Sequence, residues 1–346
     1  MALEPRLPLR QRAGYIFFLS VSAGIILTLF QWRGTSDTRW SFSKMVDGTA
    51  ERPFVYRTLL PTTVRIFSFI CPKGIQSSIA TDVDQSGALK LVFSNFGWEA
   101  SAAYQHFVAA ILMFICFVGF GHFATKLTLK ACGLRDSLAT RSLLATTLIL
   151  GIFLFFNYDT NIYDPPQLFL FALSLYFLSV SKLWQFIISF ALCCINKETA
   201  FLLIPIFAVT FYRHSTSRKY WGVLSALSGY YMLVRLSILY VFRFNQGQVS
   251  QDHLFRNIFL LLSISLSSPI SIWIVPIALC IYRWSEKPDF YKVAFICLVP
   301  PLVVVGTLFG NLDEWRIFYE AYPIVFGMAL HSLLQLKGNF GLKPAA

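Results

Sequence analysis

Apolar residues occur in blocks between Gly14 and Leu336, and most charged residues fall in the gaps between these blocks. A membrane-spanning helix needs about 20 consecutive, mostly apolar residues. On that criterion we predict about ten helices, at 14–31, 103–123, 142–157, 165–181, 183–196, 199–212, 220–241, 258–282, 291–310 and 318–336. The expected fold is therefore an all-α, polytopic transmembrane helix bundle with lipid as its solvent.

Composition supports this interpretation. The 346 residues are 56% hydrophobic and 13% charged, whereas soluble domains carry about 25% charged residues. The net charge is +12, and the basic residues lie in short loops between apolar blocks. This pattern is typical of cytoplasmic loops of a membrane protein and does not favour nucleic-acid binding. The seven cysteines lie mostly within apolar blocks and show no metal-ligand spacing.

The gaps alternate in charge, which predicts the orientation of the chain in the membrane. Gaps rich in Lys and Arg should be cytoplasmic, and they include 124–141, 213–219 and 283–292. Both termini then lie on the cytoplasmic side, with the first helix uncleaved. We expect one integral membrane domain over 1–346, in a bacterial plasma membrane because the chain is compact, or else in the endoplasmic reticulum.

The opposite face receives the mixed or acidic gaps, of which 32–102 is the longest. Within it, 53–71 is apolar but interrupted by charges and prolines, so we predict a helix lying in the membrane interface. The segment 258–282 contains prolines, which predicts either a kinked span or a surface helix followed by a span.

The candidate catalytic and substrate-binding residues lie on this predicted non-cytoplasmic face. An Asp or Glu can deprotonate an acceptor hydroxyl, and Arg or Lys can stabilise a departing phosphate. Asp37 and Asp47 are the candidate catalytic carboxylates. The candidate substrate-binding residues are Arg57, Asp159, Asp164, Lys197, Glu198, Arg235, Glu314 and Arg316. No nucleotide, nucleophile-elbow or zinc motif is present. No cofactor is indicated, although a divalent metal ion on carboxylates such as Asp159 is left open.

Several of these residues also have ordinary structural interpretations. Asp164 precedes Pro165 and could cap a helix. Arg316 and Glu320 are spaced as i,i+4 neighbours and could pair with each other. Arg235 could extend outward to the membrane surface or bind a lipid phosphate.

Three stretches resemble the GT-C superfamily of polytopic glycosyltransferases, which use polyprenyl-phosphate sugars. The first is DTRW at 37–40 with MVDG and RPFVYRTLLP at 52–61. The second is the helix pair at 163–207 with its KETAFLLIP motif. The third is EWRIFYEAYPIV at 314–325.

The resemblance implies a multi-helix bundle whose first outer loop holds the catalytic base, with Asp37 as first choice and Asp47 as second. Arg57, Lys197, Glu198 and Arg316 would bind the donor phosphate or shape its site. The implied activity transfers a sugar, with inversion, from a polyprenyl-phosphate donor to a glycan, lipid or protein. The alternatives are a polymerase or ligase acting on diphosphate-linked glycans, a lipid-linked-substrate transporter or flippase, and a scaffold without chemistry.

Overall fold

A computed structural model describes residues 9–32, 38–156, 160–212, 216–249, 253–262 and 273–339. These residues are helical and form no strand, which confirms the predicted all-α class. Arg52 and Gly247 form an isolated bridge. The α-helices are α1 (Leu9–Trp32), α2 (Phe42–Asp47), α3 (Leu59–Ile70), α4 (Lys73–Gln85), α5 (Gly87–Asn95), α6 (Ala103–Cys132), α7 (Leu138–Leu150), α8 (Asp164–Ser179), α9 (Leu183–Asn196), α10 (Leu203–Thr210), α11 (Arg218–Val241), α12 (Leu254–Leu262), α13 (Ile274–Ile281), α14 (Asp289–Phe309) and α15 (Tyr322–Asn339).

Five helical segments of the described chain are long and apolar enough to cross a membrane: Gln11–Trp32, Ala100–Cys132, Leu138–Phe155, Arg218–Val241 and Asp289–Phe309. At about 1.5 Å per residue, the 22 residues of the first segment extend about 33 Å, and a bilayer core is about 30 Å thick. Several long apolar helices are compatible with a multi-pass membrane protein. The shorter apolar helices at 183–196, 198–210 and 322–336 leave the total number of spans a prediction.

The centre of the bundle is α8, whose apolar residues are buried all around the helix. Such a helix belongs in the interior of a bundle rather than at its surface. Leu168 and Ala172 pack into a cluster with α1, α6 and α7. Leu170, Phe171 and Leu175 pack into a second cluster with α9, α10, α14 and α15. Helix α8 therefore joins the two halves of the core.

The outer surface of the bundle is apolar, as expected for contact with lipid. On α11, Leu233 and Leu236 are exposed, and little of this helix is buried. On α1, Ile16 and Phe17 are also exposed. Exposed apolar area of this extent marks an interaction with a membrane or another protein.

The first long loop is itself helical, as predicted for its middle part. Helix α3 buries Leu60, Pro61 and Val64 on one side and leaves Phe69 and Ile70 exposed on the other. This division agrees with the predicted amphipathic helix at 53–71, although the helix begins only at Leu59 because residues 54–56 form a separate 3₁₀ turn.

Several predicted spans have different boundaries in the structure; the one predicted at 103–123, for example, continues to Cys132 in α6. The described part of 258–282 divides between α12 and α13, and residues 263–272 between them lie outside the described chain. The last span begins at Tyr322 rather than at 318, because Trp315–Phe318 forms a 3₁₀ turn.

Candidate functional site

The polar loops of the predicted non-cytoplasmic face meet at one end of the bundle. The carboxyl ends of α9, α11 and α14 converge there with the amino ends of α8 and α15, and together they border a cavity of about 790 Å³ and a smaller recess of about 120 Å³ beside it. We call this the cationic cavity because of the charged side chains in its wall, which are Arg39, Arg57, Arg235, Arg316, Glu198 and Glu314. Among the described lining residues, four arginines and two glutamates give a formal net charge of +2.

Arg57 lies immediately before α3, where the 3₁₀ turn Phe54–Tyr56 delivers its side chain into the bundle. Its guanidinium donates to Glu198 at 3.0 Å and to the hydroxyl of Tyr163, and it lies 4.4 Å from the centre of the Tyr163 ring. Burial acts to lower the pKa of Arg57, but Glu198 and Tyr163 outweigh it, so the pKa lies above its ordinary value. Arg57 is therefore a permanent positive charge.

Glu198 connects two arginines. Asn196 ends α9, and Lys197 then adopts an extended backbone that turns the chain toward the cavity. One Glu198 carboxylate oxygen contacts Arg57 and the other lies 3.6 Å from Arg235. The Glu198 side chain is 41% exposed whereas that of Arg235 is 10% exposed, so the carboxylate faces the cavity and the guanidinium supports it from behind.

Arg235 contacts the protein interior rather than the membrane surface. Its side chain leaves α11 toward the bundle, where it donates to the backbone oxygen of Tyr56 at 3.4 Å. The interpretation in which Arg235 extends outward is therefore wrong. The phosphate-binding interpretation is untested, and the position of Arg235 in the cavity wall is compatible with it.

Lys197 forms a separate buried pair with Glu320. Their charged atoms are 2.9 Å apart, and the side chains are 9% and 0% exposed. The same Glu320 oxygen accepts hydrogen bonds from Thr199 and Gln167. The second Glu320 oxygen has no hydrogen-bond partner among the described residues. This pair lies behind the cavity wall, where it joins the start of α15 to the turn after α9.

Arg316 is neutralised by two carboxylates. Its guanidinium donates to Glu314 and lies 3.8 Å from Asp164. The alternative pairing with Glu320 is wrong, because residues 315–318 form a 3₁₀ turn and the i,i+4 geometry of an α-helix is absent. Burial acts to lower the pKa of Arg316, but Tyr163, Glu314 and Asp164 raise it above its ordinary value.

Asp164 occupies the first turn of α8 and is 1% exposed. Its carboxylate accepts from the backbone N–H of Asn161 at 3.0 Å, which precedes the helix. The hydrogen bond therefore fixes the loop before α8 and does not cap the first helical N–H groups, as the capping interpretation would require.

Of the two predicted catalytic residues, the structure describes Asp47 and not Asp37. Asp37 and Asp159 lie outside the described residues. Asp47 is exposed at the last position of α2 and lines neither the cationic cavity nor the smaller recess beside it. The other predicted site residues, from Arg57 to Arg316, form one connected cluster.

Sequence reasoning missed several polar partners of this cluster. Gln167 is fully buried one turn into α8 and accepts from Asn196 at 2.9 Å while donating to Glu320. The available signal in the sequence was the amide side chain of Gln167 within an otherwise apolar helix. Glu320 also carried a signal, since a carboxylate next to an apolar helix requires a partner.

The described residues contain no group of three His, Cys, Asp or Glu side chains that could hold a metal ion. Asp159, the residue suggested for that role, lies outside the described chain. The divalent metal ion left open by the sequence therefore remains an untested expectation.

The chain matches no family model, no curated protein and no solved structure in the comparisons made with each.

Proposed function

We propose that this protein is an integral membrane glycosyltransferase of GT-C type that transfers a sugar from a polyprenyl-phosphate donor at the cationic cavity. The single observation that carries the proposal is the formal net charge of +2 among the described residues that line a cavity of about 790 Å³ at one end of an apolar helix bundle. The sequence resemblance to GT-C enzymes supplies the reaction class.

The charge of the cavity fits the chemistry of the leaving group. A polyprenyl-phosphate sugar is a phosphodiester with one negative charge, and its phosphate gains a second charge as the sugar departs. Groups that interact more strongly with the charge that develops in the transition state accelerate the reaction. Arg57 and Arg235 are suited to this role, because they share the one carboxylate of Glu198 and retain an unneutralised charge between them.

In the proposed reaction, an acceptor hydroxyl oxygen attacks the anomeric carbon of the sugar and the bond from that carbon to the phosphate oxygen breaks. The electron pair goes to the departing polyprenyl phosphate. The hydroxyl proton passes to a carboxylate acting as general base. The single displacement inverts the anomeric configuration.

The base is proposed to be Asp37, with Asp47 as the second candidate. The carboxylates of the cluster are unsuited, since Glu198 and Glu314 each contact a guanidinium and a nearby opposite charge favours the ionised form. Asp37 stands two residues before Arg39, which lines the cationic cavity, and this proximity in sequence supports the choice.

A polymerase or ligase that uses diphosphate-linked glycans is the second candidate, because a charge of +2 also suits a diphosphate. A transporter is less well supported. Transporter sites lie near the middle of the membrane, whereas this cavity lies at the end of the bundle.

The test is sugar transfer by the full chain in phospholipid nanodiscs, supplied with radiolabelled polyprenyl-phosphate sugars and, separately, polyprenyl-diphosphate glycans. We expect the monophosphate donor to be consumed by the wild type and not by Asp37→Asn. Consumption by both proteins would move the base to Asp47. Consumption of only the diphosphate donor would establish the second candidate, and consumption of neither by folded protein would contradict the proposal.

A matched pair of substitutions tests the cavity itself. Arg235 and Arg218 lie on α11, the former buried against Glu198 and the latter exposed at the opposite end. We expect Arg235→Gln to lower kcat/KM by about 10²–10³, the usual effect of removing one stabilising donor. Arg218→Gln should retain wild-type kcat/KM, and equal effects of the two changes would remove the cavity from the mechanism.

A further inference from the structure

A second cavity lies beside the cationic one and differs from it in chemistry. It has a volume of about 180 Å³, less than a quarter of that of the cationic cavity. Side chains that form hydrogen bonds without carrying charge line much of it, namely Gln31, Ser41, Ser43, Thr160 and Asn161. None of its described lining residues is Lys or Arg. We call it the neutral cavity because its described lining side chains, apart from Glu99, carry no formal charge.

Aromatic rings form much of the remaining wall. The ring of His106 is held between those of Phe42 and Trp98, with centroid distances of 4.1 and 4.6 Å and interplanar angles of 21° and 12°. This stack is rigid because each outer ring also packs elsewhere, Phe42 in the cluster around α1 and α6 and Trp98 beside Phe93. A preformed wall of aromatic rings interspersed with a few polar groups is typical of a small-molecule site.

Three polar side chains of the neutral cavity are available to a ligand. The hydroxyls of Ser41 and Ser43 make no hydrogen bond to another described residue, and neither does the carboxylate of Glu99. Glu99 is exposed and, apart from the stacked His106, is the one titratable side chain among the described lining residues. An unpaired carboxylate repels an anion and accepts hydrogen bonds from hydroxyl groups.

The two cavities meet at Trp40, which lines both, and its neighbour Arg39 lines the cationic one. Asn161 also lines the neutral cavity, and Tyr163 and Asp164 shortly after it line the smaller recess beside the cationic cavity. Molecules bound in the two cavities would both contact Trp40 and would therefore lie close together, as a reaction between them requires.

From these observations we infer that the neutral cavity binds the sugar acceptor, and that this acceptor is an uncharged carbohydrate. The inference rests on the proposed function and narrows its acceptor class from glycan, lipid or protein to a glycan end. The serine hydroxyls, the amide of Gln31 and the carboxylate of Glu99 contact the sugar hydroxyls, and the aromatic wall contacts the apolar face of the sugar ring.

The test is saturation-transfer NMR on the full chain in phospholipid nanodiscs, which carry no sugar detergent. The probes are methyl glycosides of glucose, mannose and galactose, with methyl glucuronide as the anionic counterpart. Ser43→Phe places a ring in the neutral cavity. Lys44→Phe adds the same ring at the next position of α2, which is exposed and does not line the cavity.

We expect at least one neutral glycoside to bind the wild type and to lose affinity by about tenfold or more in Ser43→Phe. Lys44→Phe should stay within about twofold of the wild type, and methyl glucuronide should bind more weakly than the neutral glycosides. The inference is overturned if no glycoside binds, if Ser43→Phe binds as the wild type does, or if the glucuronide binds as well.

A parallel titration with a short polyprenyl phosphate separates this inference from the proposed function. Ser43→Phe should bind the phosphate as the wild type does, which also shows that the variant is folded. Loss of glycoside binding with retained phosphate binding supports both sites. Failure of the wild type to bind the phosphate contradicts the proposed donor site, whether or not glycosides bind in the neutral cavity.

Discussion

The buried pair between Lys197 and Glu320 should contribute strongly to stability, and removing its two charges separately or together tests this. The two charged atoms lie 2.9 Å apart and Glu320 is fully buried. Glu320→Gln keeps the shape of the side chain and an oxygen that can still accept from Thr199 and Gln167. The change therefore removes the charge and leaves the Lys197 ammonium without its counterion.

The expected magnitude follows from the cost of an uncompensated buried charge. Breaking a buried pair by removing one partner costs about 3–5 kcal/mol of the free energy of unfolding. Replacing both partners costs far less, because no charge is then left unpaired. We therefore expect Glu320→Gln and Lys197→Met each to destabilise by about 3–5 kcal/mol, and the double variant by about 1 kcal/mol.

The assay is reversible unfolding in mixed micelles titrated with dodecyl sulfate, followed by circular dichroism for the wild type, the two single variants and the double variant. Glu286→Gln is the control. Glu286 pairs with Arg283 at 3.4 Å, but both side chains are well exposed, at 47% and 38%, so its loss should cost less than about 1 kcal/mol.

The reasoning would be refuted by additive single effects of about 1 kcal/mol or less, equal to that of the control. Such a result would mean that water reaches Lys197 and Glu320 and screens both charges. A double variant as unstable as either single variant would instead show that the loss does not come from an unpaired charge, because neither charge remains in that variant.

Two further predictions concern packing and pH. A Cβ atom at Gly121 would lie 2.4 Å from Ile149, whereas one at Gly222 would meet no atom within 4 Å. Unfolding should therefore show Gly121→Ala to be destabilised by about 1–3 kcal/mol and Gly222→Ala to be unchanged or slightly more stable. Equal effects of the two changes would contradict the close helix contact at Gly121. The hydrogen bond from Arg141 lowers the pKa of Asp136 below its ordinary value of 3.8. The pair therefore stabilises the fold at pH values above about 4 and loses this contribution as the pH falls through the lowered pKa. The stability difference between the wild type and Asp136→Asn should shrink on acidification, and a difference that persists well below that pKa would refute the assignment.

The sequence predicted the all-helical fold because lipid places a simple demand on a chain. Each span must be apolar over its length, and α1, α6 and α11 satisfy this so clearly that their positions were predicted to within a few residues at most boundaries. The boundaries failed where local backbone geometry dominates. The predicted start of α15 at 318 is an example, because the 3₁₀ turn at Trp315–Phe318 replaces the first turn of the helix.

The cluster of charges was predictable for the same reason, whereas its pairing was not. Residues such as Lys197 and Arg316 lie at the ends of apolar segments on one face. They converge because successive helices run in alternating directions across the bundle and bring these ends together. Which carboxylate each one contacts depends on side-chain directions that hydropathy does not contain. The spacing offered Arg316, four residues away, as one partner for Glu320, yet Glu320 pairs with Lys197, 123 positions away.

That difference changes the assignment of roles. Lys197 is neutralised by a dedicated carboxylate behind the cavity wall, and Arg316 is neutralised by Glu314 and Asp164. Arg57 and Arg235 share Glu198 alone. The sequence offered four cationic residues as candidates for binding a phosphate. Among the described residues, Arg57 and Arg235 are the two whose combined positive charge exceeds that of the carboxylate they contact. A ligand phosphate would compete with the Glu198 carboxylate for this pair of guanidiniums, and the exposed side of Glu198 is where the competition would take place.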